Sequence, residues 1–272
     1  MSWPWIMYGT AWKEEETRLL TALALEVGFR AFDTANQRKH YVEAAVGDAL
    51  HQAIDDGLIT REELFVQTKF TFHAGQDHRL PYDPAAPIAD QVAQSFRSSL
   101  EHLQTDFLDS YVLHGPSQWE GLGEADWETW GAMEELHRAG KCTHLGVSNV
   151  SAEQLRALLE GAETPPTFVQ NRCFARRGWD REVRAICSDH DITYQGFSLL
   201  TANAAELRHP DVAELARKKD ATIPQLVFCF AARVGMLPLT GTTSRQHMED
   251  DLAAASIDLT DDEVHFLETI AG

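Results

Sequence analysis

Leu108-Asp-Ser-Tyr-Val-Leu-His114, an amphipathic stretch over Trp127–Ala139, and Thr143-His-Leu-Gly-Val-Ser148 together make one strand–helix–strand unit. Both flanking runs are short and largely apolar, as strands covered on both faces require. The stretch between them repeats its apolar side chains every three to four residues, the pattern of a helix with one buried face. Gly140 stands where that helix should end. Two parallel strands joined by a crossover helix are the expected product.

The same alternation runs outward in both directions. Towards the N-terminus, Trp5–Tyr8 is followed by Glu14–Val27, Phe29–Thr34 by Glu43–Asp56, and Leu64–Phe70 by Ile88–Leu103. Towards the C-terminus, Thr143–Ser148 leads to Ala152–Leu159, which the capping-box pattern Ser151-x-x-Gln154 opens. Thr167–Asn171 leads to Arg181–Asp189, and Ile192–Leu199 to Pro210–Lys219, extended through Ile223–Arg233. Met236–Thr240 leads to Ser244–Ala255, and a last helix spans Asp261–Ile270. Eight units of roughly 30 residues predict an α/β fold, a single (β/α)8 or TIM barrel over residues 1–272. An open doubly wound sheet would carry G-x-G-x-x-G after its first strand; Gly121-Leu-Gly123 is the nearest match and lacks the third glycine.

Composition narrows the function. The chain is 44% hydrophobic and 24% charged, with 42 acidic against 23 basic residues and a net charge of −19. Such a surface repels phosphate backbones, so nucleic acid is not an expected partner. No run of 18 uncharged apolar residues exists to span a membrane, and Met1-Ser-Trp-Pro-Trp-Ile lacks the basic start of a secretory signal. A cytoplasmic protein, a monomer or weak dimer, is expected. Cys142, Cys173, Cys187 and Cys229 form no C-x-x-C and read as buried free thiols.

Barrels of this kind carry their working side chains at the C-terminal ends of strands. That rule selects Asp33, Lys69 and His114 at successive strand ends, with Tyr41 on the loop after the second strand. Taken singly, each has an ordinary reading as a cap, a rim charge or a packed ring. Together they complement one another. Reducing a carbonyl with hydride leaves an alkoxide, and a phenol can supply the missing proton. An ammonium beside it should lower the phenol's pKa, an aspartate anchors the ammonium, and an imidazole donates to the carbonyl oxygen. A metal-dependent barrel hydrolase would instead want His-x-His at the first strand end, which reads Tyr8-Gly9-Thr10; no metal site is expected.

At these residues the chain resembles the aldo-keto reductase superfamily. The likeness runs over most of the sequence, through Gly28–Ala35, Val46–Leu50, Asp106–Pro116, Gly146-Val-Ser-Asn149, Val169-Gln-Asn171 and Gly241-Thr-Thr243. The resemblance implies NADP(H) as cofactor, catalytic roles for Asp33, Lys69 and His114, and a small-molecule carbonyl or alcohol as substrate. The family's tyrosine usually stands five residues after the aspartate, where this chain has Arg38; counting back from Glu43 puts it at His40 or Tyr41, and Tyr41 has the right chemistry. The resemblance also assigns cofactor contacts to Thr10, Ala11, Asp33, Ser148, Asn149, Gln170, Phe197, Ser198, Leu200, Gly241, Thr242, Thr243, Ser244, Arg245, His247 and Asp251. Among these, Phe197 would stack on the nicotinamide and Arg245 would meet the 2′-phosphate.

Departures from the family pattern shape the rest. With the first strand read so near the start and the last helix so near the end, neither the hairpin that usually plugs the barrel base nor a long C-terminal loop is expected. A more open pocket is expected, walled by Trp12, Phe72 and Trp119. The displaced tyrosine also admits an alternative, an NADP(H)-binding barrel with little turnover that serves as a sensor or subunit.

Overall fold

The structure is a computed structural model that describes residues 4–272. Met1, Ser2 and Trp3, on which part of the leader reading rests, lie outside the described residues. Eight parallel strands close in sequence order: β1 (Met7–Gly9), β2 (Ala31–Asp33), β3 (Phe65–Phe70), β4 (Leu108–Leu113), β5 (Cys142–Ser148), β6 (Phe168–Arg172), β7 (Thr193–Phe197) and β8 (Met236–Thr240), which returns to β1. The helices are α1 (Thr17–Val27), α2 (Glu43–Asp55), α3 (Ile88–Leu103), α4 (Glu124–Arg138), α5 (Ala152–Gly161), α6 (Arg181–Asp189), α7 (Pro210–Lys218), α8 (Ile223–Arg233), α9 (Arg245–Ala253) and α10 (Asp261–Glu268). No helix is long and apolar enough to cross a membrane among the described residues.

The expected elements are all present, with shifted ends where local chemistry decides. The first strand is Met7–Gly9 rather than Trp5–Tyr8, and Glu14–Val27 divides into a 3-10 turn and α1 because Trp12 and Glu14 both take left-handed φ, 61° and 48°. Helix α4 starts three residues early. The Asp126 carboxylate accepts from Gly123 N (2.8 Å) and Ser117 N (2.6 Å), closing its first turn. The Ser151–Gln154 capping box forms as read, and Gly140 leaves α4 at φ +72°. The four cysteines are buried and free.

Strand parity fills the barrel. Met7, Ala31, Phe65, Phe168, Leu237 and Leu239 meet at its base, where Phe65 and Phe168 pack edge to face at 5.5 Å. Two residues further along β2, β3 and β6, the same inward face turns polar: Asp33 follows Ala31, Gln67 follows Phe65, and Gln170 follows Phe168. A larger apolar layer seals the outside of the strands against the helices. Gly47 shows how close that layer runs, since a Cβ there would fall 2.0 Å from the His102 carbonyl oxygen. Helix α2 can lie against the end of α3 only because this residue has no side chain.

Candidate active site

The polar layer of the barrel centres on Asp33. Its carboxylate accepts both contacts of the Lys69 ammonium, at 2.6 and 2.7 Å, and Lys69 Nζ also donates to the Thr34 carbonyl at 2.8 Å. Gln67 and Gln170 add amide donors to Asp33 Oδ1 at 2.7 and 2.9 Å. Both ions are removed from water, and every ammonium donor has an acceptor, which a buried pair needs in order to persist. Burial still lowers the Lys69 pKa, with Asp33 working against it.

Two rings complete the group. The Lys69 Nζ lies 5.4 Å from the centre of the Tyr41 ring, and the Tyr41 and His114 rings meet edge to face at 6.1 Å. The displaced loop therefore delivers Tyr41 to Lys69 and His114, whereas Arg38, at the usual spacing, bonds His102 at 2.7 Å away from them. Tyr41 lines the central cavity, and its hydroxyl has no hydrogen-bond partner among the described residues. The expectation that Lys69 lowers the phenol's pKa is corrected. Burial raises it, Asp33 raises it further, and the ammonium's charge is already matched by that carboxylate. His114 takes the opposite course: burial, followed by the Lys69 charge, brings its pKa down to about 3, so the ring is neutral near pH 7. Its Nδ1 bonds the Thr71 hydroxyl at 2.7 Å.

A cavity of about 1510 Å³ runs from these groups across the barrel mouth. Ala11, Trp12, Phe72, Ser148, Asn149, Gln170, Phe197, Ser198, Leu200, Gly241, Thr242, His247 and Asp251 line it. Ser148 and Asn149 are tied down: Ser148 Oγ donates to the Gln170 carbonyl at 2.6 Å, and Asn149 Nδ2 to the His114 carbonyl at 2.8 Å. Trp12, Asn149 and Ser198 all hold left-handed φ near 60°, conformations that non-glycine residues adopt at a cost.

Other assignments fall differently. Trp119 is 98% exposed and lies off the cavity, so it builds no pocket wall; its loop is held by Gln154 bonding the Gln118 and Gly121 carbonyls instead. Thr10 is buried with its hydroxyl on the Asp33 carbonyl (2.9 Å), and Thr243, Ser244 and Arg245 do not line the cavity. Arg245 pairs with Glu26 at 2.6 Å and Glu249 at 3.7 Å.

Lys13, which the pattern reading passed over, sits 8% exposed in the cavity wall. It donates to the Gly241 carbonyl and lies 5.7 Å from the Tyr8 ring centre. No carboxylate pairs with it at ion-pair distance among the described residues. Gln67 and Gln195 were passed over too. Parity with Lys69 and Phe197 was the available signal, because residues two apart on a strand share a face.

Comparison with known proteins follows the same lines as the site. The family model described as Aldo/keto reductase family matches residues 3–271, and the chain belongs to that family. It is 26% identical over 269 residues to an oxidoreductase of Bacillus subtilis named YtbE, covering 98% of this chain and 89% of that protein. It is 29% identical to deoxymugineic acid synthase 1-D of Triticum aestivum, covering 92% of this chain and 81% of that one. Among solved structures, an aldo-keto reductase of Bombyx mori in complex with NADP superimposes with a TM-score of 0.83 at 24% identity, over 99% of this chain and 90% of that one. At that identity the likeness establishes the shared barrel.

Proposed function

We propose that this protein is an NADP(H)-dependent oxidoreductase that reduces aldehydes or ketones, or oxidises the matching alcohols. The observation that carries the reading is the meeting of Tyr41, Lys69 and His114 around one cavity, with Asp33 holding Lys69. A cofactor fits the residues present. Gln170 commits its amide N–H groups to Asp33 (2.9 Å) and Gln195 (3.0 Å), which leaves its Oε1 to accept from a nicotinamide carboxamide. Asn149 likewise commits its amide nitrogen. Phe197 offers a stacking face, and Lys13 offers an unmatched positive charge to a pyrophosphate. Gly241, Thr242, His247 and Asp251 line the opposite end, where Arg245 would take the 2′-phosphate once released from Glu26.

NADPH, when bound, supplies the hydride; the chain supplies the rest. Tyr41 keeps its proton at neutral pH because burial and Asp33 both oppose its ionisation, so it is charged with the proton that the carbonyl oxygen needs. As that proton leaves, Asp33 and the Thr34 carbonyl hold the Lys69 ammonium in place beside the Tyr41 ring. Neutral His114 shares Nδ1 with the Thr71 hydroxyl; in the tautomer that accepts there, Nε2–H would donate to the carbonyl oxygen and orient it. The sensor alternative rested on the displaced tyrosine, and the position of the Tyr41 ring favours turnover. Following NADPH and NADH absorbance with aldehydes, α-dicarbonyls and sugars tests the reading. NADPH bound tightly but oxidised with none of them would sink it.

A further inference from the structure

The last residue of β6, Arg172, lines the same cavity as Tyr41 and His114 and stands two residues after Gln170, so it crowns the inward face of that strand. It lies beside Phe197 in the β6–β7 register. Beyond it, Arg172, Arg176 and Arg177 gather around one ring, their guanidinium carbons 5.4, 4.7 and 5.6 Å from the centre of Phe174. All three arginines are exposed, and none has a carboxylate at ion-pair distance among the described residues. In a chain with a net charge of −19, these three arginines form a local basic cluster around one ring.

The segment that carries them is built, not loose. Asn203, fully buried, accepts from Ala175 N at 2.6 Å and donates to the Cys173 and Leu199 carbonyls at 3.0 and 2.8 Å. Trp179, 1% exposed, donates from its indole to the Leu267 carbonyl at 2.9 Å. Gly178, Trp179 and Asp180 hold left-handed φ in succession, at 64°, 55° and 57°, and such strain persists only where the surroundings enforce it. The guanidinium groups lie near the Phe174 ring and, exposed and without a carboxylate, keep N–H donors for an anion.

We propose that Arg172, backed by Arg176 and Arg177, is an oxoanion subsite that selects carbonyl substrates bearing a carboxylate or a phosphate. This rests on the reductase reading and names the substrate class for that site. The fork of Arg172 would take the oxoanion while the substrate's carbonyl lies at Tyr41 and His114, and the acidic remainder of the surface turns such anions away elsewhere.

The test compares wild type, Arg172→Gln, Arg172→Lys and Arg176→Gln/Arg177→Gln on succinic semialdehyde, glyceraldehyde 3-phosphate and neutral butanal. Arg172→Gln should lower kcat/KM for an anionic aldehyde about tenfold, mainly through KM, and leave butanal and the KM for NADPH within about twofold. Arg172→Lys should restore part of the loss, since the charge stays while the fork is gone. The anionic aldehyde that suffers more identifies carboxylate or phosphate as the group read. An equal loss on butanal, or a raised KM for NADPH in place of the selective loss, overturns the proposal. Calorimetric titration of succinate and inorganic phosphate separates the two readings. Anion binding weakened about tenfold by Arg172→Gln supports the subsite even in a protein that oxidises no NADPH, a result that would refute only the reductase. No Arg172-dependent binding of either anion overturns the subsite.

Discussion

Gln67 and Gln195 face each other across the barrel interior and exchange two amide hydrogen bonds, Gln67 Nε2 to Gln195 Oε1 at 2.8 Å and Gln195 Nε2 to Gln67 Oε1 at 3.0 Å. Both side chains are fully buried, and Gln67 also donates to Asp33. The pair is a polar brace between the apolar base and the Lys69–Asp33 ion pair. A carboxylate facing only one ammonium in the barrel would be short of donors; Gln67 and Gln170 supply two more without adding charge.

Removing both halves of the brace should therefore cost less than the two single losses added together. Gln67→Leu strips a donor from Asp33 and orphans the Gln195 amide, which predicts a loss of about 2–3 kcal/mol. Gln195→Leu leaves the Gln67 carbonyl oxygen unpaired and should fall in the same range. The double variant should lose at least about 1 kcal/mol less than the sum of the two, because no orphan remains between them. Urea unfolding midpoints give all three values. Strict additivity would show that the two amides do not act as a unit.

Tyr41→Phe separates chemistry from stability. The hydroxyl it removes has no hydrogen-bond partner among the described residues, so the thermal midpoint and NADPH binding should hardly move. Loss of the proton donor should lower kcat by about 100-fold or more. A variant that keeps near wild-type reduction removes Tyr41 from the mechanism, and Lys69 or a water would have to be examined in its stead.

How far the sequence foretold this site depends on what each residue's neighbours announce. Leu108–His114 and Thr143–Ser148 were readable as strands because apolar runs of that length, broken by helical periodicity, leave few other solutions. Asp33, Lys69 and His114 followed from their places at strand ends. The brace did not stand out, since a glutamine in an apolar strand looks like any polar interruption until parity places it beside Lys69. Lys13 drew no reading at all; the left-handed turn at Trp12 and Glu14, which no pattern marks, carries it into the cavity wall. Trp119 shows the converse. An aromatic on a loop carries no information about direction, and this one faces solvent.

The choice between NADPH and NADH should turn on Glu26. This carboxylate holds the Arg245 guanidinium at 2.6 Å on an exposed face, and a 2′-phosphate would compete with it for the same fork. Exposed pairs of this kind are weak, because water and salt screen them. Glu26→Gln should accordingly tighten NADPH relative to NADH by up to about fivefold, while Arg245→Ala should weaken NADPH much more than NADH. Dissociation constants from quenching of tryptophan fluorescence would measure both. Equal changes for the two nucleotides would mean that Arg245 does not read the 2′-phosphate.

Asp251 makes the last prediction, on pH. Only 3% exposed, it accepts from the Thr240 hydroxyl at 2.7 Å, and burial, with a smaller contribution from Asp250, raises its pKa from 3.8 to about 6. A carboxyl whose pKa rises on folding binds its proton more tightly in the native state. That contribution to stability is complete below pH 3.8 and is lost as pH climbs through about 6. Above that point the native protein holds a poorly solvated charge facing the cavity. Asp251→Asn removes the charge and keeps an acceptor for Thr240, so at pH 8 it should be more stable than wild type by about 1–2 kcal/mol, allowing for screening through the open mouth. Below pH 4 the two proteins should unfold together. Thermal midpoints measured from pH 4 to pH 8 decide the matter: a gap that stays constant with pH, or an asparagine variant that is weaker at pH 8, would show that the carboxylate is held there by interactions stronger than its burial.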